Sequence, residues 1–352
     1  MQVEDEVRKT YSEGAARVVE SLCCPVSYDT ALLEKLPREI IERDYGCGDP
    51  SRYVRSGDVV LDLGSGGGKI CYMAAQLVGP AGRVIGVDMN DDMLALARRH
   101  QAGMAQVLGG DRVVFRKGRI QDLALDQDAV ARYLAAHPVI DSASADAFQL
   151  WEQRQRREQP MIPDESVDLV ISNCVLNLVD DAQKGALVAG IFRVLKPGGR
   201  VAISDIVADR AVPAHLKEDP ELWSGCISGA FQEAEFVRAF QNAGLVGVAF
   251  DKWESTPWRT VAGVAFRSVT LTAVKPLRPE SGEQEPCVVI QRGPFPVVED
   301  ESGVRYPAGE RVTVTREVFE RLGQEPFAPW FIRLAPDPVA PSPCGCGPHG
   351  CC

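Results

Sequence analysis

Two patterns in this chain could carry chemistry: a glycine-rich turn between a strand and a helix, and a set of cysteines scattered far apart in sequence. The turn is Asp62-Leu63-Gly64-Ser65-Gly66-Gly67-Gly68, preceded by an apolar run and followed by ICYMAAQ. Glycines there permit positive φ and let a ligand approach the backbone. The GxGxG spacing differs from the dinucleotide fingerprint GxGxxG. Asp88, closing the next apolar run, stands where an acid about 20 residues on takes ribose hydroxyls in Rossmann sites. A turn that served only packing would not need that acid, so the loop reads as one that holds a nucleoside. The cysteines are Cys23, Cys24, Cys47, Cys71, Cys174, Cys226, Cys287, Cys344, Cys346, Cys351 and Cys352. Eleven in 352 residues is too sparse for a disulfide-stapled scaffold, and no paired CxxC knuckles of a zinc ribbon occur.

These residues need a scaffold, and the hydrophobic periodicity supplies one. Short Val-rich runs at VVLDLG, RVIGVDM, RVVFRKG, VDLVISN and RVAISDIV alternate with helical text, and VGVAFDKW and AFRSVTLTAV close the series. That alternation predicts an α/β doubly wound, mainly parallel sheet over residues 56–275. Residues 1–55 read as a helical cap, with RKTYSEGAARVVESL and ALLEKLPREIIERDYG on either side of the turn-like CCPVSYD. Residues 124–163 interrupt the sheet with polar helical text and read as an inserted lobe. AQKGALVAGIFRVLK reads as a helix stopped by Pro197, Gly198 and Gly199. A linker over 276–286 leads into a small α+β module over 287–334, and residues 335–352 form a Pro- and Cys-rich tail with little apolar surface to pack. His100 and His137, in charged helical text, read as solvated.

LDLGSGGG with the downstream GVDM, and later VLKPGGRVAISD, resembles the cofactor motifs of class I S-adenosylmethionine-dependent methyltransferases across residues 58 to about 275. The resemblance implies that Gly64, Ser65 and Gly66 cradle the methionine and ribose, that Asp88 takes the ribose, that Met89 lies against adenine, and that Ile120 and Gln121 flank it. Asp62, Tyr45 and Asn173 are expected as further cofactor contacts.

Three thiols stand in distinctive settings: Cys47 in YGCG, Cys174 in SNCVLN, and Cys226 in LWSGC. Ligands in open α/β sheets bind outside the carboxyl ends of the strands, which puts Cys174 and the Cys226 segment at that mouth, with Cys47 capping it from the N-terminal helices. Three thiolates beside a methyl donor form a soft site suited to a thiophilic centre rather than Mg²⁺ or Ca²⁺. Trivalent arsenic takes three sulfurs and keeps a lone pair that can attack a sulfonium methyl without a general base. Each thiol also has a plainer reading as a small packed hydrophobe, which is preferred for Cys287 and Cys71.

The YGCG, SNCVLNLV and LWSGC segments, with CVVIQRG, FAPWFIRLAP and the Cys-rich end, are similar to the arsenite methyltransferase family, in a bacterial branch. That resemblance spans nearly the whole chain. It implies that Cys47, Cys174 and Cys226 bind As(III), that Cys23 or Cys24 forms a disulfide with Cys47 during turnover, and that a thiol reductant, glutathione or thioredoxin, restores the enzyme. The tail's Cys344, Cys346, His349, Cys351 and Cys352 could bind a metal ion, capture arsenite or shuttle disulfides, or have no defined role.

Composition narrows the alternatives. A net charge of −11 disfavours a nucleic-acid partner. No apolar run approaches the roughly 18 residues of a membrane span, and the acidic start MQVEDEVRKTYSEG lacks a signal-peptide core, so the expected compartment is the cytoplasm. Two rival readings stay open at this point: a methyltransferase acting on another small metabolite, with packed cysteines, and a thiol-based arsenic-binding protein without turnover.

Overall fold

The computed structural model describes residues 3–19, 26–277 and 287–334. Cys23, Cys24 and the tail cysteines Cys344, Cys346, Cys351 and Cys352 lie outside the described residues. The chain divides into two compact units, residues 1–276 and 277–352.

The first unit is built on seven main strands: β1 (Val59–Leu63), β2 (Arg83–Asp88), β3 (Val113–Lys117), β4 (Val167–Asn173), β5 (Leu195–Ala208), β6 (Val246–Trp253) and β7 (Val264–Val274), in the order β3-β2-β1-β4-β5-β7-β6. Strands β1 to β5 pair in parallel, and β7 runs antiparallel to both β5 and β6. This is the doubly wound sheet expected from the sequence. The central strands are Val-, Ile- and Leu-rich because helices cover both faces, so β1 and β4 are buried almost throughout. One face packs against Leu187, Ile191, Phe236 and Phe240, and the other against helix α2 (Lys69–Leu77) and helix α3 (Asp91–Leu108). α1 (Val3–Ala16) lies against α3 and the short helix Pro220–Ser224.

Three expectations need correction. The stretch 31–46 is two short helices, Thr30–Leu33 and Arg38–Glu42, because Pro37 has no N–H to continue the first and caps the start of the second. The helix expected to run through Lys196 ends at Val194; Leu195 is already extended, and the Pro-Gly-Gly segment lies within β5. His100 is only partly solvated, since its Nε2 sits 2.7 Å from Glu39 and the side chain is part-buried. His137 is exposed and stacks on Tyr133.

The 124–163 segment holds two helices, Gln127–Ala136 and Ser142–Glu158, neither of which contains a fully buried residue. The second unit carries a three-stranded antiparallel sheet of β8 (Cys287–Gln291), β9 (Arg311–Val314) and β10 (Phe331–Leu334), in the order β9-β8-β10, with the helix Arg316–Arg321. Cys287 packs inside it with Val289, Tyr306 and Phe331, as its position at the head of an apolar strand suggests. Among the described residues no helix is long and apolar enough to cross a membrane.

Candidate active site

Parallel pairing in register brings the strand ends to one rim. Leu63 of β1 stands opposite Val87 of β2 and Ser172 of β4, and Asn173 of β4 stands opposite Ser204 of β5. The residues that follow, Gly64, Asp88, Cys174 and Asp205, therefore emerge side by side.

A cleft opens at this rim. Tyr45, Asp62, Gly64, Ser65, Gly66, Asp88, Met89, Ile120, Gln121 and Asn173 all line it, together with Cys174. Gly64 and Gly66 have φ of 69° and 50°, where a side chain is strained. A Cβ on Gly64 would also strike Val175, whereas one on Gly66 would meet only open space. Asp88 accepts hydrogen bonds from Gly66 N (2.8 Å) and Asn90 N (2.8 Å), which hold its carboxylate at the edge of the turn. Ser65 Oγ is buried without a hydrogen-bond partner among the described residues. A bare glycine cradle, an oriented acid and an orphaned hydroxyl fit a ligand with ribose and amino-acid groups.

Asp62 lies at the floor. Cys71 Sγ donates to its Oδ2 at 3.2 Å, and burial pushes the carboxyl up to about 7. Burial also raises Asp88 and Asp205, the latter to about 6. Each is a carboxyl whose folded value lies above its unfolded one, so the folded protein keeps a proton that the unfolded chain has released. Their contribution to stability therefore declines as pH rises through the window from about 4 to 7. Asp62→Asn should flatten that decline, so that its stability relative to the parent is greater at pH 7.5 than at pH 5. Urea unfolding at the two pH values checks this, and a pH-independent difference would contradict it.

The thiols are held by a second network. Asn173 Oδ1 accepts from Cys47 N (2.9 Å) and Gly48 N (3.0 Å), and its Nδ2 donates to Tyr28 Oη (3.2 Å). Ser268 Oγ donates to Cys47 O at 2.6 Å. The glycines beside Cys47 exist for close approach: a Cβ on Gly46 would lie 2.1 Å from Asn173 Nδ2, and one on Gly48 would lie 2.4 Å from Ser204 Oγ. Asn173 thus ties the Cys47 turn to the end of β4. Asn173→Ala would leave two buried N–H groups without acceptors, and we expect a loss of about 2 kcal/mol or more in urea unfolding. A change under about 0.5 kcal/mol would show that the tether carries little.

Cys47, Cys174 and Cys226 are all buried and belong to one apolar cluster with Ile206, Ile227 and Phe266. The Sγ atoms of Cys47 and Cys174 and a carboxylate oxygen of Asp205 lie within 4.8 Å of one another. Cys226 stands beside this group, its Sγ donating to Cys174 O at 3.3 Å. Cys174 and Cys226 both adopt left-handed backbone, φ 63° and 61°, among only four non-glycine residues that do so in the described chain. Such strain, about 1–3 kcal/mol each, persists where surrounding structure enforces it and clusters at functional sites.

Sequence reasoning missed three participants. Tyr11 lines the cleft one helical turn after Val7, and burial, with Cys226, Cys174, Asp205 and Asp88 around it, holds its hydroxyl far above the usual range and so protonated. Asn90 caps α3 through Asp92 N and Met93 N while its Nδ2 holds Arg8 O, pinning α1 over the cleft. Asp205 is the third. The N-cap position of Asn90 and the polar Ser204-Asp205 pair inside an apolar strand were readable signals; Tyr11 offered only its i, i+4 spacing from Val7.

Residues 54–148 and 144–244 match a methyltransferase domain family, and residues 282–346 match a domain of unknown function. An arsenite methyltransferase of Aquipseudomonas alcaligenes is 36% identical over 237 residues, covering 66% of this chain and 58% of that protein, so the match spans less than two thirds of the bacterial relative. The arsenite methyltransferase of Mus musculus is 30% identical over 352 residues, covering 96% of this chain and 84% of the mouse protein. Among solved structures, an arsenic(III) S-adenosylmethionine methyltransferase from Chlamydomonas reinhardtii superimposes with a TM-score of 0.57 at 26% identity, covering 89% of this chain and 97% of that one. A likeness that runs through the glycine turn, the cysteine segments and most of the mouse protein's length leads to one conclusion: this chain belongs to the arsenite methyltransferase family.

Proposed function

We propose that the protein transfers a methyl group from S-adenosylmethionine to trivalent arsenic presented as a thiol complex, yielding methylated arsenicals for detoxification. The observation that carries this reading is the burial of Cys47 and Cys174 side by side at the rim where the cleft ends, with Cys226 hydrogen-bonded to the Cys174 backbone. Packed thiols alone would not explain two cysteines in left-handed backbone at one strand mouth.

In this reading Gly64, Ser65 and Gly66 bind the methionine and ribose, Asp88 orients the ribose hydroxyls, and Met89, Ile120 and Gln121 enclose the adenine. Asp62, Tyr45 and Asn173 complete the enclosure. The bound cofactor supplies an electrophilic methyl group. Cys47 and Cys174 displace two thiols from the incoming arsenic complex, each passing its proton to the departing thiol. Cys226 completes the set by displacing the third thiol, its Sγ giving up the hydrogen bond to Cys174 O and passing its proton to the departing thiol. No general base is needed for transfer itself, because the nucleophile is the arsenic lone pair; holding it in line is the protein's contribution, a positioning effect that can reach effective molarities of about 10⁵ M or more.

The same proposal assigns Cys23 or Cys24 to a disulfide with Cys47 during turnover, reopened by glutathione or thioredoxin in a reducing cytoplasm. It treats residues 1–55 as the cap that brings Cys47 to the sheet, 56–275 as the cofactor domain with its 124–163 lobe, 287–334 as an appended module, and 335–352 as a thiol-bearing tail. Incubating the protein with S-adenosylmethionine, arsenite and a thiol reductant should yield S-adenosylhomocysteine and methylated arsenic by mass spectrometry. Arsenite binding without S-adenosylhomocysteine would instead indicate sequestration, and methyl transfer to another acceptor with thiol-independent kinetics would indicate a different metabolite.

A further inference from the structure

We infer that Asp205 is a catalytic residue of this reaction, its buried carboxylate acting as the counter-charge for the positive charge that arrives on arsenic during methyl transfer. The inference rests on the arsenic reading above. It begins from an anomaly: a carboxylate 1% exposed, in none of the ion pairs among the described residues, set within 4.8 Å of two thiol sulfurs. Burying an ionised group is expensive unless it is hydrogen-bonded or faces a charge. The hydrogen bonds are present: Leu176 N donates at 2.9 Å, Ile206 N at 2.8 Å and Asn177 Nδ2 at 2.8 Å. All come from fixed donors that hold the carboxylate in place, and Asn177 is itself braced against Ile206 O (2.6 Å) and Cys226 O (3.4 Å). What is missing among the described residues is a cation in ion-pair contact: the Lys184 ammonium favours the charged form of Asp205 from a distance but is itself paired with Asp181 at 2.6 Å.

The electron count of the reaction supplies one. Arsenic held by three thiolates is neutral and carries one lone pair. That pair forms the As–C bond while the C–S bond breaks and leaves its electrons on sulfur, which becomes a neutral thioether. Arsenic therefore acquires the positive charge that the sulfonium loses. The charge moves to a centre adjacent to Asp205, in a site walled by Cys47, Cys174, Ile206 and Cys226 rather than water. A preorganised charge of opposite sign stabilises such a transition state without reorganisation, and it raises the rate of transfer more than the affinity for neutral arsenite.

Two measurements on the full chain separate rate from binding: arsenite uptake by cofactor-depleted protein in equilibrium dialysis, and single-turnover formation of S-adenosylhomocysteine. Asp205→Asn should bind arsenite within about threefold of the parent yet transfer methyl about 100-fold more slowly, the scale seen when one preorganised electrostatic group is removed. Asp205→Ala should be slow as well and should recover at least about tenfold on adding formate but not formamide, its neutral isostere; this variant decides the matter if Asp205→Asn does not fold. A transfer rate near that of the parent in Asp205→Asn, loss of arsenite binding in step with the rate, or equal rescue by formate and formamide would each overturn the inference. A parent protein that yields no methylated arsenic would overturn the underlying reading, and is told apart from these because it fails before any variant is compared.

Discussion

Replacing Cys174 by Ser should abolish arsenite binding and reduce arsenic methylation by at least about 10³-fold while leaving S-adenosylmethionine affinity within a few-fold. The effect is large because Cys174 is, among the described residues, the thiol that both lines the cleft and sits within 4.8 Å of Cys47 Sγ. A hydroxyl is a poor ligand for a thiophilic centre, and each tenfold loss corresponds to about 1.4 kcal/mol, so the predicted loss is about 4 kcal/mol of transition-state stabilisation. Cofactor affinity should hold because the glycine turn and Asp88 are fixed by their own hydrogen bonds. Cys226→Ser should act in the same direction. Equilibrium dialysis with arsenite and calorimetric titration with S-adenosylmethionine, run on the same preparations, check both halves; unchanged methylation in either variant would end the three-thiol account.

Asp88→Asn is expected to show the reverse selectivity, with cofactor affinity falling about 100-fold and arsenite uptake by the cofactor-depleted protein unchanged. The carboxylate already accepts from Gly66 N and Asn90 N, and an amide would turn one NH₂ group toward one of those donors. If Asp88 accepts from ribose hydroxyls as proposed, losing those charge-assisted hydrogen bonds, at about 1.5–3 kcal/mol each, is enough for the predicted drop. Calorimetric titration checks it, and a change of less than about fivefold would mean that Asp88 serves the turn rather than the ligand.

The glycine-turn half of this cleft was legible because its signals are local. A strand, a glycine turn and an acid at the next strand end are read along the chain, and every residue so named lines one cleft. The thiol half was legible only in part. Cys47 stood out through Gly46 and Gly48, and the structure gives the physical reason, since side chains there would collide with Asn173 and Ser204. The left-handed backbone of Cys174 and Cys226 was invisible, because positive φ at a non-glycine residue is imposed by tertiary contacts and leaves no compositional mark. Asp205 looked like one polar interruption of an apolar strand; its meaning arises only when β4 and β5 pair and set it beside two sulfurs. Tyr11 and Asn90 act across a long sequence separation for the same reason.

The helix boundaries that shifted follow from backbone chemistry. Pro37 split one expected helix, and the Lys-Pro-Gly-Gly segment entered β5 rather than ending the helix before it, because Leu195 already stands opposite Val167 of β4 and the backbones of Gly198 and Gly199 bond to Lys275, just past β7, ahead of the regular ladders that run from Arg200 onward.

Arsenic K-edge X-ray absorption on the reduced protein loaded with one equivalent of arsenite tests the core of the account most directly. Coordination by three sulfurs is expected in the parent protein, and that shell should be lost, with arsenite no longer retained on the protein, in Cys174→Ser and in Cys226→Ser. A first shell dominated by oxygen in the parent protein, or a three-sulfur shell that survives both substitutions, would contradict it.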